Sequence, residues 1–177
     1  ALQTAKIENK EFQGIMEETQ NRVHSIGMIH QRLYQGGNLK TIEMKDFFLN
    51  LGEYIIYTFN ASQRVSLICT MEPLELEIDQ AIPIGLIVNE LLSNSLKYAF
   101  PNGNKGSIKV SLSERESHLY LQVSDNGVGI GTNPEVQGSG FGTQLIQLLT
   151  RQLDGKMSLV TNSGTEVFFE FQIHKAA

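Results

Sequence analysis

Four side chains with reactive or ligand-binding groups recur three and four residues apart in one segment. Glu90 and Asn94 are four residues apart, and Lys97 and Tyr98 follow Asn94 by three and four. Residues with this spacing lie on one side of an α-helix, so a carboxylate, a carboxamide and an ammonium would share a stripe. Leucines occupy the neighbouring side, and polar groups beside an apolar ridge are costly unless they hold a partner. The segment therefore predicts a helix that forms one wall of a ligand site.

The chemistry of this stripe suits a magnesium ion and a phosphate. Asn94 offers a hard carboxamide oxygen, and Mg²⁺ takes few protein ligands together with water and phosphate oxygens. Glu90 is suited to orient or deprotonate an attacking hydroxyl, water or imidazole. Because one helical turn separates the two side chains, we expect both to reach the same small object.

Two glycine-rich segments further along the chain predict the other walls. Asp125 ends a predicted strand and opens the run DNGVG. A buried carboxylate there would accept a hydrogen bond from an exocyclic amine, and Gly127 and Gly129 would let an aromatic ring approach the backbone. The run GSGFG at residues 138–142 opens a predicted helix, and exposed amides at helix N-termini bind phosphate. Together these segments predict a nucleotide site.

The segments that position these residues follow a regular order. Residues 2–33 place apolar side chains at alternating steps of three and four, which predicts a long helix that packs against another helix. Gly36 and Gly37 end it, and we place a boundary there between domains 1–37 and 38–177. The second domain reads β-α-β-β-α-β-β-α-β-β. We expect one mixed, mostly antiparallel sheet covered by helices on a single face, which is a two-layer α+β sandwich.

Local periodicity and turn residues predict the individual elements. Asp79 is expected to cap the helix that carries Asn94, with Pro83 in its first turn. The polar run 113–118 joins two alternating segments as a hairpin. Apart from the helix that carries Asn94, the predicted elements span residues 41–43, 44–59, 65–69, 74–78, 108–112, 119–123, 142–153, 156–160 and 165–172.

Composition restricts the class of protein. The 177 residues are 41% hydrophobic, enough for one core of ordinary size. The net charge of −5 and the absence of a stripe of basic residues in the sequence argue against a surface that binds nucleic acid. The one cysteine, Cys69, excludes an internal disulfide framework, and no apolar stretch is long enough to span a bilayer. We expect a soluble part of a longer protein, because Ala1 already lies inside a helical pattern.

Four motifs in a fixed order resemble those of two-component sensor histidine kinases, within the gyrase, Hsp90 and histidine kinase ATPase superfamily. NELLSNSLKY at residues 89–98 resembles the N box, DNGVG at 125–129 the G1 box, GSGFG at 138–142 the G2 box and GT at 164–165 the last box. Upstream, RV at 22–23 and IHQRLY at 29–34 resemble the dimerisation helix of one kinase subfamily. The resemblance implies the Bergerat ATP-binding fold, preceded by part of a helical dimerisation domain.

The resemblance also implies roles for single residues. Asn94 would bind Mg²⁺, Glu90 would act as acid or base, and Lys97 would contact phosphate. Tyr98 would pack near adenine, and Asp125 would accept a hydrogen bond from its amine. The positions implied to shape the pocket and its lid, or to lie at the adenine edge, are Gly127, Gly129, Gly138, Gly140, Gly142 and Thr165. The implied cofactors are ATP and Mg²⁺.

The implied activity is transfer of the ATP γ-phosphoryl to a histidine, for relay to a response regulator receiver domain. His30 occupies the predicted helix seam, so we expect the acceptor histidine upstream of this chain. The resemblance also implies a homodimer through helix 2–33 and a cytoplasmic location, and it leaves open whether the longer protein is membrane-anchored. The G2 box departs from the usual Gly-Leu-Gly-Leu, since residues 140–143 read GFGT.

Two other functions remain open at this point. One is an ATP-hydrolysing member of the superfamily in which Glu90 activates water. The other is a non-catalytic dimerisation or scaffold module with a decayed nucleotide pocket. A dinucleotide-binding fold is disfavoured, because the glycines at 127 and 129 follow a hairpin and lead into a long loop. No P-loop sequence occurs.

Overall fold

Seven strands and three helices alternate through the part of the chain that the structure describes. It is a computed structural model in which residues 41–130, 141–161 and 163–173 are described, together with Met16, Thr19, Gln20, Val23, His24 and Gly27. The elements are β1 (Thr41–Glu43), α1 (Met44–Thr58), β2 (Val65–Cys69), β3 (Glu75–Glu77), α2 (Ile78–Asn94), a π turn (Ser95–Ala99), a 3₁₀ turn (Pro101–Gly103), β4 (Gly106–Arg115), β5 (His118–Asp125), α3 (Phe141–Gln152), β6 (Lys156–Val160) and β7 (Thr165–Gln172). The predicted element order is confirmed.

A five-stranded sheet forms one layer of the fold. Its strand order is β2-β4-β5-β7-β6, with β2 parallel to β4 and every other pair antiparallel. The mixed, mostly antiparallel sheet of an α+β sandwich is therefore confirmed. The prediction that all strands join one sheet was wrong, because β1 and β3 pair with each other in a separate antiparallel ribbon. That pairing provides hydrogen-bond partners for backbone N–H and C=O groups of two strands that are each only three residues long.

One face of the sheet is buried against the helices and the other faces solvent. Alternate residues of β4, β5 and β7 are buried, as in Val110, Leu121 and Phe169, while their neighbours along each strand are less buried or exposed. Such alternation is typical of a sheet with one solvated face. Helix α1 adds Phe47 and Phe48, which are fully buried, to the same core. The helices therefore lie on one face, as predicted.

The start of α2 differs from the prediction. Glu77, the last residue of β3, occupies the N-cap position, so the chain passes from strand to helix without a loop. The prediction of Asp79 as the cap was wrong. Asp79 lies in the first turn, where a carboxylate is favourable beside the positive end of the helix dipole. Pro83 lies inside the helix and not in its first turn.

The hairpin between β4 and β5 is tighter than the sequence suggests. The strands pair up to Arg115 and His118, which leaves a two-residue turn at Glu116 and Ser117. Both turn residues have positive φ, 48° and 65°, as a type I′ turn requires. The loop predicted over residues 113–118 is therefore too long, because this turn lacks the glycine or asparagine that normally marks it.

Glu43 caps α1 with its side chain, and its removal should destabilise the fold. Its carboxylate accepts hydrogen bonds from the backbone N–H groups of Asp46 (2.7 Å), Lys45 (3.2 Å) and Leu74 (3.3 Å). We expect Glu43→Ala to lower the free energy of unfolding by about 1–2 kcal/mol, since capping groups contribute that much. Urea denaturation measures it, with exposed Glu53→Ala in the same helix as the control. Equal stability of the two variants would contradict the capping role.

Cys69 on β2 should react slowly with thiol reagents. Burial raises the pKa of its thiol above the ordinary 9.0, a rise that the ammonium of Lys45 opposes and the carboxylate of Glu43 assists. A raised pKa leaves less thiolate at a given pH, and the thiolate is the reactive form. The unfolded chain loses this proton at lower pH than the folded one, so stability falls as pH rises past about 9. Iodoacetamide rates against pH should give a midpoint above 9.0 for the folded protein, and a midpoint below it would contradict the burial.

An aromatic contact joins the described part of the N-terminal segment to α1. The rings of His24 and Tyr54 stack with centroids 3.7 Å apart and planes 14° apart. The six described positions between Met16 and Gly27 are helical, as predicted there. The rest of the predicted helix 2–33, including Arg22 and His30, lies outside the described residues. Within the described ranges, no helix is both long and apolar enough to cross a membrane.

Candidate functional site

The end of α2 widens into a π turn where the predicted site residues lie. The helix ends at Asn94 and the π turn runs over Ser95–Ala99. A π turn closes hydrogen bonds between residues five apart, so each residue advances less around the axis than in an α-helix. Tyr98, four residues after Asn94, therefore returns to the side of Asn94, whereas Lys97 does not.

A cavity of about 340 Å³ lies between this helix end, the sheet and α3. Most of its walls are apolar, and a few polar groups converge on it, which is typical of small-molecule sites. Its lining residues come from the helix end, the strands β5, β6 and β7, the loop after β5 and the start of α3. They are Leu91, Asn94, Ser95, Tyr98, Ala99, Val123, Asp125, Gly129, Ile130, Thr143, Ile146, Met157, Leu159, Thr165 and Val167.

Asp125 is the buried polar anchor of this cavity, with a relative exposure of 8%. Its Oδ1 accepts hydrogen bonds from the backbone N–H groups of Gly127 (3.0 Å) and Thr165 (3.3 Å). Its Oδ2 accepts one from the hydroxyl of Ser95 (2.9 Å). Three donors from three segments hold the carboxylate in one orientation, so its remaining acceptor capacity is available to a ligand.

Three glycines allow the backbone to close around Asp125. A Cβ on Gly127 would lie 2.3 Å from the carbonyl oxygen of Ala99, and the next amide, that of Val128, donates to the same oxygen at 3.0 Å. Gly164 has φ of +104°, and a Cβ on it would lie 2.0 Å from the carbonyl oxygen of Asp125. Gly129 has φ of +73° and lies against Gly164. The glycines therefore serve close backbone packing as well as access to the cavity.

Of the predicted site residues that the structure describes, five line the cavity, whereas Glu90, Lys97, Gly127 and Gly142 do not. Those that line the cavity are Asn94, Tyr98, Asp125, Gly129 and Thr165. Glu90 is buried, with a relative exposure of 4%, and its carboxylate accepts a hydrogen bond from the amide of Asn89 at 3.3 Å. Lys97 is half-buried and is not among the lining residues. Gly127 packs behind the cavity against Ala99.

The predicted lid is described only at its end. Gly142 lies in the first turn of α3, which begins at Phe141, and Thr143 reaches the cavity. The N-terminal end of a helix carries partial positive charge, which favours a nearby anion. Gly138 and Gly140 lie outside the described residues.

Sequence reasoning predicted five of the fifteen lining residues and missed ten, among them Ser95, Met157 and Leu159. Ser95 contacts Asp125 from 30 positions away, and on an α-helix it would turn away from the predicted stripe. Met157 and Leu159 alternate on β6 and line the cavity while staying 41% and 50% exposed. Their alternation is visible in the sequence, but only the position of α3 decides that this side of β6 faces a cavity.

Two family models match the chain. The model described as histidine kinase-, DNA gyrase B- and HSP90-like ATPase matches residues 79–175, and a histidine kinase model matches residues 1–59. The first match covers more than half of the chain and includes every residue that lines the cavity. The chain belongs to the histidine kinase-, DNA gyrase B- and HSP90-like ATPase family. Along the chain, the match to the histidine kinase model therefore precedes the match to the ATPase model.

Individual proteins are also similar to this chain. The anti-sigma F factor of Bacillus licheniformis is 25% identical over 95 residues, which are 48% of this chain and 65% of the relative. Blue-light-activated histidine kinase 2 of Erythrobacter litoralis is 24% identical over 160 residues, 86% of this chain and 45% of the relative. The solved histidine kinase domain of an Erythrobacter litoralis blue-light activated histidine kinase has the same fold, with a TM-score of 0.77, 20% identity and coverage of 88% of this chain and 75% of that one. The chain thus spans less than two thirds of both curated relatives.

Proposed function

We propose that this region binds Mg-ATP and transfers the γ-phosphoryl group to a histidine upstream of the chain. The observation that carries the proposal is the buried Asp125 carboxylate, which lines a mostly apolar cavity and is oriented by three protein donors. The histidine kinase match over residues 1–59 supports a histidine as the acceptor. Phosphoryl transfer needs positioning and charge neutralisation more than covalent chemistry, and a cavity with convergent polar groups suits that task.

The apolar part of the cavity suits an adenine ring. Asp125 would accept a hydrogen bond from the adenine amine, because its Oδ2 retains acceptor capacity beside Ser95. Met157 and Leu159 would cover one side of the ring. Tyr98, 44% exposed at the cavity, would pack at the base or ribose. Thr165 and Gly129 would lie at the edge of the base.

Asn94 and residues near it would hold a magnesium triphosphate. Asn94 lines the cavity, and its carboxamide oxygen is a hard ligand of the kind that Mg²⁺ prefers. When bound, Mg²⁺ would neutralise charge on the phosphates. Lys97, three residues after Asn94 in the chain, would contact a phosphate. The amides at the start of α3 and the lid glycines Gly138, Gly140 and Gly142 would surround the phosphate chain.

Glu90 would orient the acceptor imidazole. Its buried carboxylate lies one helical turn before Asn94 and is fixed by the amide of Asn89. In the transfer step, one imidazole nitrogen attacks the γ-phosphorus while ADP leaves. Glu90 would accept the proton of the other ring nitrogen in a hydrogen bond, which makes the attacking nitrogen more nucleophilic.

Radiolabelled phosphotransfer tests this function. A longer form of the protein, with the upstream sequence, should incorporate label from [γ-³²P]ATP as acid-labile, base-stable phosphohistidine. Glu90→Gln should lower the rate at least about tenfold with ATP affinity unchanged, because general acid–base groups contribute factors of about 10²–10⁴. Steady phosphate release without a phosphoprotein, lost in Glu90→Gln, would favour ATP hydrolysis. Absence of ATP binding would favour a non-catalytic scaffold.

The partners follow from the same proposal. Met16 and Val23, two positions of the predicted helix seam, are 45% and 64% exposed. A second copy of the chain would cover this apolar side and form a homodimer. Sedimentation should show that Val23→Asp shifts the protein toward monomer, and unchanged association would exclude this seam. The downstream partner would be a response regulator receiver domain, with both proteins in the cytoplasm.

A further inference from the structure

The hydroxyl of Ser95 and the carboxylate of Asp125 form a buried pair in the wall of the cavity. The Ser95 Oγ lies 2.9 Å from Asp125 Oδ2, and both residues line the cavity. Their relative exposures are 9% and 8%, so water competes little for this bond. The pair connects the first residue of the π turn to the last residue of β5.

The pair leaves only acceptors for a ligand. Asp125 Oδ1 already accepts two backbone N–H groups, from Gly127 and Thr165. A carboxylate has no proton to donate, and a serine hydroxyl has one. Because Ser95 donates that proton to Asp125, the free sites on both Ser95 Oγ and Asp125 Oδ2 are lone pairs. A ligand atom that meets them must therefore be a donor.

Hydrogen bonds hold both ends of the π turn against β5 and the loop after it. Val128 donates its N–H to the carbonyl of Ala99 at 3.0 Å, which ties the end of the π turn to the loop after β5. The Ser95–Asp125 bond ties the beginning of the same turn to the end of β5. Because Ser95 has a single hydroxyl proton, it can donate to a ligand only by giving up its bond to Asp125.

We propose that Ser95 is a positioning residue that determines base specificity, by holding Asp125 in place and by presenting only acceptors to the base. This rests on the proposed binding of ATP in the same cavity. A 6-aminopurine offers an N–H donor to these two atoms. A 6-oxopurine offers an acceptor in the same place. Its oxygen would then face the acceptor atoms of Ser95 and Asp125, so no hydrogen bond forms and the buried atoms stay unpaired. We expect the wild type to prefer ATP over inosine triphosphate by about 10- to 100-fold.

Removing the hydroxyl should relax this preference. In Ser95→Ala, the carboxylate can rotate and a water molecule can occupy the space of the hydroxyl. Such a water can donate to a 6-oxo group, which the serine does not do. ATP affinity should fall about three- to tenfold, because one hydrogen bond to the carboxylate is lost. The ratio of the dissociation constants for inosine triphosphate and ATP should fall at least about fivefold.

Ser93 provides a matched control on the same helix. Its side chain is 5% exposed, and its Oγ is the one fully buried side-chain N or O atom in the described residues without a hydrogen-bond partner. Ser93 does not line the cavity. Ser93→Ala should therefore leave the preference for ATP unchanged. Ser95→Thr, which keeps the hydroxyl, should restore the wild-type ratio to within about twofold.

Calorimetric titration of the whole chain with each nucleotide and Mg²⁺ tests the proposal. The proposal is supported when the ratio of the dissociation constants for inosine triphosphate and ATP falls in Ser95→Ala, while Ser93→Ala and Ser95→Thr keep the wild-type ratio. It is overturned when Ser95→Ala binds ATP with the wild-type ratio. If Ser95→Ala does not fold, Ser95→Cys takes its place, and the weak thiol donor must also lower the ratio. Failure of the wild type to bind any nucleotide is a different result, because it overturns the proposed function itself.

Discussion

Asp125→Asn should weaken ATP binding by on the order of 100-fold while leaving the fold intact. The asparagine oxygen can still accept from the backbone N–H groups of Gly127 and Thr165, which bind Asp125 Oδ1 at 3.0 and 3.3 Å. Its amide nitrogen, however, replaces Oδ2 with a donor, which then faces the donor amine of adenine. Losing a charge-assisted hydrogen bond and opposing two donors costs about 3 kcal/mol.

Calorimetry with ATP and Mg²⁺ measures this change directly. Asp79→Asn is the matched control, because it removes the same charge from an exposed position at the other end of α2. The control should bind ATP like the wild type, and thermal unfolding should show that both variants are folded. Wild-type affinity in Asp125→Asn would mean that Asp125 does not recognise the base.

Gly164→Ala should destabilise the protein more than any other small substitution near the site. The new Cβ would lie 2.0 Å from the backbone oxygen of Asp125, and the residue would have to keep φ of +104°. A backbone atom cannot move aside without breaking the β5–β7 pairing, in which Asp125 faces Thr165. We expect a loss of more than about 4 kcal/mol in the free energy of unfolding, which is exceptional for one methyl group.

Gly103→Ala separates the cost of steric overlap from the cost of a positive φ. Gly103 also has positive φ, +76°, but a Cβ there would meet nothing within 4 Å. Its substitution should cost about 1–2 kcal/mol, the conformational part alone. Urea denaturation of both variants gives the difference. Equal losses would show that the close approach of Gly164 to Asp125 does not contribute.

The sequence correctly predicts the features that are determined by residues close together in the chain. Strands β4 and β5 alternate in period two, and α1 has its apolar residues on one side, so burial on one face is visible locally. The same holds for Asn94 and Asp125, whose residue types and motifs predict a ligand site. All of these features need only the order of residues within one element.

The remaining features depend on contacts between distant segments. The β1–β3 ribbon joins strands more than 30 residues apart, and the Ser95–Asp125 bond spans 30 residues. The π turn changes which residues face the cavity, so Lys97 leaves the lining that Tyr98 keeps. Helical spacing alone puts both on one stripe, because it assumes a regular α-helix. Tertiary packing decides these cases.

Titration of the wild-type chain with a non-hydrolysable ATP analogue, with and without Mg²⁺, tests the central claim most directly. We expect one site per chain and tighter binding with Mg²⁺, because Asn94 offers an oxygen ligand to the metal and the phosphates supply others. We also expect competition by ADP. Absence of binding, or binding that a nucleotide without an exocyclic amine matches in affinity, would contradict a site built around Asp125.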